Sequence, residues 1–240
     1  MKIYCFSDSH IITTIRSPLI EFLMEVQTVK PDYLVCSGDI FEAARVGWKE
    51  LIKMDGFLEM SMWLSNIASN GKTAVVLIEG NHDFDLHKYK DSYFTNCIVA
   101  RKYFEVGNYY FTHGWQEFDW TINWVDKRLY RWLFPYFPRW QWLYDKYVSR
   151  ATKFSLKPES NPDRFHNELY WWFIKGCHDG AMDFAMERNQ KIIFGHTHEP
   201  SIRRFPYEPY GWTVANSGDF LDSNTGLIIE DDEIKIWRTT

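Results

Sequence analysis

Short apolar runs that end in polar, metal-binding residues recur along this chain, and they restrict the fold more than any other feature. In the first half, β-branched and aromatic residues predict four strands, at Lys2–Ser7, Tyr33–Ser37, Thr73–Ile78 and Tyr109–Thr112. Helical spacing of apolar residues occupies two of the intervals between them, Pro18–Lys30 and Lys49–Ser69. Strands that alternate with helices predict an α/β sheet with helices packed on its faces.

The C-terminal part is richer in strands. Four are predicted there, at Lys191–Phe194, Trp212–Ala215, Thr225–Glu230 and Glu233–Trp237. The dipeptide Asp231-Asp232 is typical of a hairpin turn between the last two. The sequence contains no internal repeat and no Ser/Gly-rich linker that would mark a domain boundary. We therefore expect one domain over residues 1–240, with a helical cap inserted at residues 115–188.

The residues that follow the strands are of types that bind metals. Five of the eight histidines lie just after a strand, together with two aspartates and an asparagine: His10, His82, His113, His196 and His198, with Asp8, Asp39 and Asn81. Functional sites of α/β sheets assemble at the carboxyl ends of the strands, so we expect these side chains to meet. Imidazoles suit transition metals, and carboxylates add negative charge. A carboxylate that bridges two cations offsets their repulsion, so the set predicts a dinuclear metal site.

The segment 115–157 differs from the rest of the chain in composition. Fourteen of its 43 residues are aromatic, and it carries eight Lys or Arg against four acids, on a chain whose net charge is −5. Its aromatics either form the core of a helical cap or grip an apolar or lipid-linked substrate or an anionic membrane. Candidate substrate contacts are Trp115, Arg128 and Arg131. Binding of single-stranded nucleic acid is less favoured, because the chain as a whole is acidic.

The cysteine pattern favours a cytoplasmic location. The four cysteines (Cys5, Cys36, Cys97 and Cys177) are widely spaced without a CxxC pair, as expected of reduced thiols. The first residues read directly into a strand and lack the pattern of a signal peptide. No stretch of about 20 apolar residues is present, so no membrane-spanning helix is predicted. We expect a cytoplasmic protein, and the insert leaves peripheral contact with the inner membrane face open.

Five short motifs resemble those of the calcineurin-like metallophosphoesterases. They occur in the family's order, as Asp8-Ser9-His10, Gly38-Asp39, Gly80-Asn81-His82-Asp83, His113-Gly114 and Gly195-His196-Thr197-His198. The resemblance implies a four-layer α/β/β/α sandwich, to which this chain adds the aromatic-rich helical insert. It also implies a phosphohydrolase with two divalent metal ions, for which we favour Mn over Fe or Zn.

The resemblance divides the ligands between two metals that share one carboxylate. One metal is held by Asp8, His10, Asp39 and His198, and the other by Asp39, Asn81, His113 and His196. A hydroxide generated at metals about 3.5–4 Å apart attacks phosphorus in line with the leaving oxygen. His82 lies near that oxygen as general acid or stabilising cation, and Asp83 is expected to orient its ring.

Two further groups remain open between a role at the site and a plain structural role. Glu42 is either a partner of the metal site or a surface charge. The segment Asn216-Ser217-Gly218-Asp219 follows a strand and either borders the site or simply forms a turn.

A closer but partial resemblance is to the UDP-2,3-diacylglucosamine pyrophosphatases. It rests on Gly38-Asp39-Ile40-Phe41-Glu42-Ala43 and Asn81-His82-Asp83-Phe84. Those enzymes cleave a pyrophosphate in a lipid precursor at the membrane face, and they typically have Arg where this chain has His82. A phosphate leaves with little need of a proton, whereas an alkoxide benefits from a positioned acid. His82 therefore favours an ester with an alcohol leaving group.

The predicted activity is hydrolysis of a phosphate monoester or diester, small or lipid-linked, with a pyrophosphatase as the alternative. Nuclease and protein phosphatase activities are less favoured, and no feature of the sequence points to the latter. A non-catalytic scaffold, like the retromer subunit that is similar to this family, is also less favoured. A scaffold tolerates the loss of metal ligands, and this chain lacks none of them.

Overall fold

Two β-sheets pack face to face, and helices cover their outer faces. The computed structural model describes residues 1–115, 117–118, 163–205 and 212–239, apart from the side chains of 163–174. Within these residues the layers follow the order helix, sheet, sheet, helix. The predicted four-layer α/β/β/α sandwich is thereby confirmed.

The described residues contain eleven strands: β1 (Lys2–Phe6), β2 (Tyr33–Ser37), β3 (Ala74–Ile78), β4 (Ile98–Ala100), β5 (Tyr103–Val106), β6 (Tyr109–Thr112), β7 (Lys191–Phe194), β8 (Ser201–Phe205), β9 (Trp212–Asn216), β10 (Thr225–Glu230) and β11 (Glu233–Arg238). The helices are α1 (Ser17–Val29), α2 (Ala43–Val46), α3 (Trp48–Leu51), α4 (Asp55–Ala68), α5 (Lys90–Tyr93) and α6 (Asp163–Arg188). A 3₁₀ turn at Leu86–Tyr89 precedes α5.

The first sheet has the strand order β11-β10-β1-β2-β3-β4. Its four strands from the first half of the chain are parallel, and β10 and β11 extend it as an antiparallel hairpin. In β1, β2 and β3 the last four residues are all buried, because other layers cover both faces of the sheet. The carboxyl ends of these strands therefore lie side by side at one edge.

The second sheet has the order β5-β6-β7-β9-β8. Its strands β6, β7 and β9 are parallel to one another, and β5 and β8 close the two sides as antiparallel strands. Apolar residues of β1, β2 and β3 pack against those of β6, β7 and β9 between the sheets, among them Cys5, Val76, Phe111 and Ile193. This shared core holds the ends of β6 and β7 against the ends of the first sheet's strands.

Helices close the sandwich on each side. Residues of α1 and α4 cover the first sheet and build the largest apolar cluster, which includes Phe22, Phe57 and Leu64. Cys177, Ala181 and other buried residues near the end of α6 cover the second sheet. All four cysteines are buried free thiols, as expected from their spacing.

The structure differs from the predicted elements in a few places. The helix predicted over Lys49–Ser69 is split into α3 and α4, because Met54 adopts extended backbone angles and a new helix starts at Asp55. Strands β4, β5 and β8 were not predicted; they are short, and none of their residues is buried. The hairpin turn at Asp231-Asp232 is confirmed, since both residues have positive φ and connect β10 to β11.

The predicted cap at 115–188 is described only in part. Residues 119–162 lie outside the described residues, whereas the end of α6 packs on the second sheet as its outer layer. Among the described residues, no helix combines the length and the apolarity needed to cross a bilayer.

Truncation of Phe57 tests the core under α4. Its ring is completely buried and lies 4.8 Å from the ring of Phe41 and 5.1 Å from that of Tyr93, centroid to centroid. We expect Phe57→Ala to lower the free energy of unfolding by about 3–5 kcal/mol, because it leaves a cavity. The neighbouring Leu58 is 38% exposed, and Leu58→Ala should cost only about 0.5 kcal/mol. Urea unfolding measures both, and equal losses would contradict the assigned core.

Candidate metal centre

The predicted ligands meet where the two sheets present the ends of their parallel strands. The loops after β1, β2 and β3 carry those from the first sheet, and the loops after β6 and β7 carry those from the second. Backbone hydrogen bonds join the first two loops, from the Asp8 amide to the Gly38 carbonyl and from the His10 amide to the Asp39 carbonyl. The sequence-predicted set is thus brought together from five separate strand ends.

Five residues of the set adopt the left-handed backbone region, which side chains other than glycine rarely occupy. Their φ angles lie between 44° and 69°, at Asp8, His10, Asp39, His196 and His198. Such backbone conformations cost about 1–3 kcal/mol each and persist where the surrounding structure enforces them. Their concentration in one place is typical of a functional site.

Two glycines let the ligand loops approach each other closely. A Cβ atom on Gly80 would overlap the carboxylate of Asp39, and one on Gly195 would overlap Ser7 and Asp8. Any larger residue would therefore push a ligand loop away from the site.

The first group of ligand atoms surrounds the carboxylate of Asp8. Its Oδ1 lies 3.2 Å from Nε2 of His198 and 4.0 Å from Nε2 of His10. Its Oδ2 accepts a hydrogen bond from the His196 amide at 2.9 Å. Asp8, His10 and His198 each offer one ligand atom within 4.8 Å of the others, a spacing that suits a metal ion.

The second group surrounds Asp39. Its Oδ2 lies 3.2 Å from Nε2 of His113 and 3.9 Å from Nε2 of His10, so it faces both groups of imidazoles. Oδ1 of Asn81 lies 3.0 Å from the same nitrogen of His113. The ring of His196 packs against that of His113, with centroids 5.1 Å apart. The Asp39 carboxylate therefore lies between an imidazole of the first group and one of the second.

Nε2 of His10 is buried and meets no hydrogen-bond partner among the described residues, and Oδ1 of Asp8 is buried with no partner there beyond the ion pair with His198 at 3.2 Å. A buried polar atom without a partner costs about 1–3 kcal/mol, so such atoms are rare unless a ligand satisfies them. Both atoms belong to the first group, which combines imidazole and carboxylate donors. The donor set and these two atoms together fit a divalent transition metal.

Each of three ligand imidazoles is fixed through its other nitrogen. The Nδ1 atoms lie 2.8, 2.8 and 3.0 Å from an acceptor oxygen in the pairs His10–Glu42, His113–Ser37 and His198–Asp219. In the neutral ring, an Nδ1–H that donates to oxygen leaves Nε2 with a free electron pair. The Nε2 atoms of these rings face the carboxylates of Asp8 and Asp39.

The ionisation of the buried groups follows from these contacts. Burial alone would raise the pKa of Asp39, but His113 and His82 outweigh it and hold the pKa well below its usual value. Burial lowers the pKa of His113, and the charge of Asp39 reverses this and raises the pKa to about 9. The carboxylate of Asp39 therefore stays ionised at neutral pH, whereas His113 holds a proton that a cation would displace on binding.

The structure corrects the role expected of Asp83. Nδ1 of His82 lies 2.6 Å from Oε1 of Glu42, so Glu42 orients the ring. The carboxylate of Asp83 instead accepts backbone amides on both oxygens, at 2.7 Å from Gly80 and 2.8 Å from Ile40. It is completely buried, and burial with the nearby charge of Asp39 raises its pKa to about 7. Asp83 shapes the loops that carry Asp39 and Asn81.

Sequence reasoning left the roles of Glu42 and Asp219 open, and the structure assigns both to the centre. In the sequence, Glu42 stands out because it follows Asp39 by three residues. Asp219 stands out because it ends the polar segment that follows a predicted strand. Of the expected substrate contacts, Trp115 is buried just after His113. Arg128 and Arg131 lie outside the described residues, so their contacts stay predictions.

The sequence matches the family model of the calcineurin-like phosphoesterases over residues 1–200. That span contains all seven predicted metal ligands. A comparison with curated proteins gives no match.

Solved structures of similar fold include Yfce, a phosphoesterase from E. coli, with a TM-score of 0.50 and 14% identity over 99% of this chain and 93% of that one. Vacuolar Protein Sorting 29 from Cryptosporidium parvum has a TM-score of 0.44 and 13% identity, and the match covers 98% of this chain and 95% of that one. Vps29 from Entamoeba histolytica, complexed with Zn²⁺, has a TM-score of 0.41 and 13% identity, with 100% and 98% covered. At these identities the likeness to Yfce concerns the fold alone.

Metal addition tests the centre directly. We expect Mn²⁺ to raise the melting temperature of chelator-treated protein, because binding to the folded state alone adds about 2.7 kcal/mol per site at 100 times Kd. Asp39→Asn should reduce this rise, since it removes the shared charge. Asp85→Asn makes the same change at a residue paired with Lys88 and should leave the rise intact. A melting temperature that Mn²⁺ does not change in the unsubstituted protein would contradict the assignment.

Proposed function

The chain belongs to the calcineurin-like phosphoesterase family, and from this premise we propose that it is a metal-dependent phosphoesterase that uses two divalent cations. One observation carries the proposal: Nε2 of His10 is buried without a hydrogen-bond partner among the described residues, and it converges with ligand atoms of Asp8 and His198 within 4.8 Å. A surface that only binds partner proteins has no need of such atoms. A phosphoesterase needs them to hold its cations.

We propose the division of ligands that the motifs imply. Asp8, His10 and His198 would hold one cation, and Asn81, His113 and His196 the other, with Asp39 common to both. The mixture of imidazole and carboxylate suits Mn, Fe or Zn, and we propose Mn. When bound, such cations polarise phosphate oxygens and lower the pKa of water toward neutrality.

His82 is the residue we assign to the leaving oxygen. Its ring packs edge-on against that of His10 with centroids 4.6 Å apart, so it lies beside the ligand groups. Burial lowers the pKa of His82, but the charge of Asp39 and the hydrogen bond with Glu42 outweigh it and raise the pKa to about 9. His82 therefore holds a proton at neutral pH and can donate it to a departing alkoxide.

Glu42 keeps His82 in this state. Its two oxygens bond different rings, Oε1 with His82 at 2.6 Å and Oε2 with His10 at 2.8 Å. Cations bound at Asp39 would cancel the part of the increase in the pKa of His82 that comes from the charge of Asp39. Glu42 is then the anion that maintains the proton on His82, and it links the acid to a metal ligand.

The supported substrate class is a phosphate monoester or diester with an alcohol leaving group. A charged imidazole next to the metal centre can protonate the leaving group. An alkoxide leaving group needs that proton, whereas a phosphate leaving group does not. The aromatic and basic composition of 115–157 supports an apolar or lipid-linked alcohol and contact with a membrane surface. Cleavage of a UDP-linked lipid pyrophosphate is the alternative outcome of the experiment below.

A comparison of substrates tests this function. Mn²⁺-loaded protein should hydrolyse an alkyl phosphate monoester or diester faster than a UDP-linked lipid pyrophosphate. Asp39→Asn should abolish both rates, whereas Asp85→Asn should retain them. Initial rates of phosphate or alcohol release give the answer. Faster turnover of the pyrophosphate would favour the alternative, and an absence of any Mn²⁺-dependent turnover would contradict the proposed activity.

Substitution of His82 tests its role as acid. We expect His82→Asn to slow an alkyl ester roughly 10²–10⁴-fold, the usual contribution of a general acid. An aryl ester, whose leaving group needs little protonation, should slow much less. His87→Asn is the matched control, because His87 bonds Glu79 and not a residue of the centre. Equal losses on the two esters would show that His82 acts as a cation or in positioning rather than as acid.

A further inference from the structure

A turn at residues 217–223 fastens two metal ligands from outside the part of the chain that matches the family model. It follows β9 and begins after residue 200, where the match ends. On one side its Asp219 bonds His198. On the other side the Phe220 amide donates to the carbonyl of Asp8 at 3.4 Å. One turn thus contacts the chain at both Asp8 and His198.

Serine hydroxyls fix the position of this turn against β1. Oγ of Ser7 lies 2.6 Å from Oγ of Ser217, and it also donates to the carbonyl of Gly218 at 3.1 Å. Ser7 and Ser217 are completely buried. The turn is therefore held in register with the residue that precedes Asp8.

Asp219 uses its two oxygens for different purposes. Oδ1 accepts the backbone amides of the turn itself, at 3.0, 2.8 and 2.8 Å from Leu221, Asp222 and Ser223. Oδ2 lies 3.0 Å from Nδ1 of His198. Because the first oxygen is pinned by three donors, the second cannot rotate away from the imidazole. The side chain is almost completely buried, so water does not compete for either oxygen.

We propose that Asp219 is a positioning residue for the metal ligand His198, and that the 217–223 turn exists at this place to hold it. An Nδ1–H donated to Oδ2 fixes the tautomer in which Nε2 carries the free electron pair. It also fixes the ring plane, so that Nε2 stays 3.2 Å from Oδ1 of Asp8. This inference rests on the metal-binding part of the proposed function, but not on the identity of the substrate.

Asp219→Asn separates this role from a purely structural one. An asparagine has one acceptor oxygen where Asp219 uses two, so either the turn amides or His198 must lose a partner. Partners of this kind contribute about 10–100-fold to metal affinity. We expect the variant to bind one of two Mn²⁺ equivalents about 10–100-fold more weakly, measured by calorimetry on chelator-treated protein. Asp222→Asn, with the same change of charge at an exposed residue of the same turn, should bind as the unsubstituted protein does.

The outcomes are distinct. Unchanged Mn²⁺ affinity in Asp219→Asn would overturn the inference, and so would an equal loss in Asp222→Asn. Failure of the unsubstituted protein to bind Mn²⁺ would overturn the proposed function instead. Melting of the metal-free variant shows whether it folds. If it does not, nitrogen NMR of the His198 ring in the unsubstituted, Zn²⁺-loaded protein provides the test, because Asp219 lies at Nδ1 and the proposed metal at Nε2. A proton on Nδ1 would support the inference, and a ring without a proton on Nδ1 would overturn it.

Discussion

The burial of two carboxylates at the ends of adjacent parallel strands is the constraint on which the rest of this structure depends. Asp8 and Asp39 are almost completely withdrawn from water, and each carries a charge that burial disfavours. Backbone amides offset part of this cost, since His196 donates to Asp8 and His82 donates to Asp39. Imidazoles of His113 and His198 offset a further part. The left-handed backbone angles and the close approach of the loops follow from the need to aim these donors at two small groups.

Around this pair the side chains form two shells with different tasks. The inner atoms, mostly imidazole Nε2 and carboxylate oxygen, converge on the space where cations fit. The outer oxygens of Glu42, Ser37 and Asp219 hold the rings by their other nitrogens. The outer oxygens lie at Nδ1 of each ring, so the other nitrogen, Nε2, faces the centre. Glu42 goes further, because it joins a metal ligand and the proposed acid through one carboxylate.

Much of the fold, and the histidines and carboxylates that converge on the centre, could be predicted from the sequence, because both depend on short local patterns. Apolar runs predict strands. In a parallel sheet the residues that follow the strands all lie at the carboxyl edge, so their proximity does not depend on the conformation of the loops. The outer shell was harder, because Glu42 and Asp219 act on histidines 32 and 21 residues away in the chain, through loop conformations that no periodicity encodes. The break between α3 and α4 was missed for a similar reason: Met54 is a good helix former, and only its tertiary setting gives it extended angles.

The pairing of β1 with β10 has a consequence for how the protein is made. Ser7 and Ser217 touch although they lie 210 positions apart in the sequence, and β10, formed by residues 225–230, pairs with β1 on the side opposite β2. During synthesis, a chain that has emerged from the ribosome only as far as His198 carries every predicted ligand motif but neither Asp219 nor β10. Until residues 217–230 follow, His198 lacks its Asp219 partner, and β1 is an edge strand whose backbone groups on that side are unpaired. The partly made chain is therefore open to pairing of β1 with a strand of another molecule.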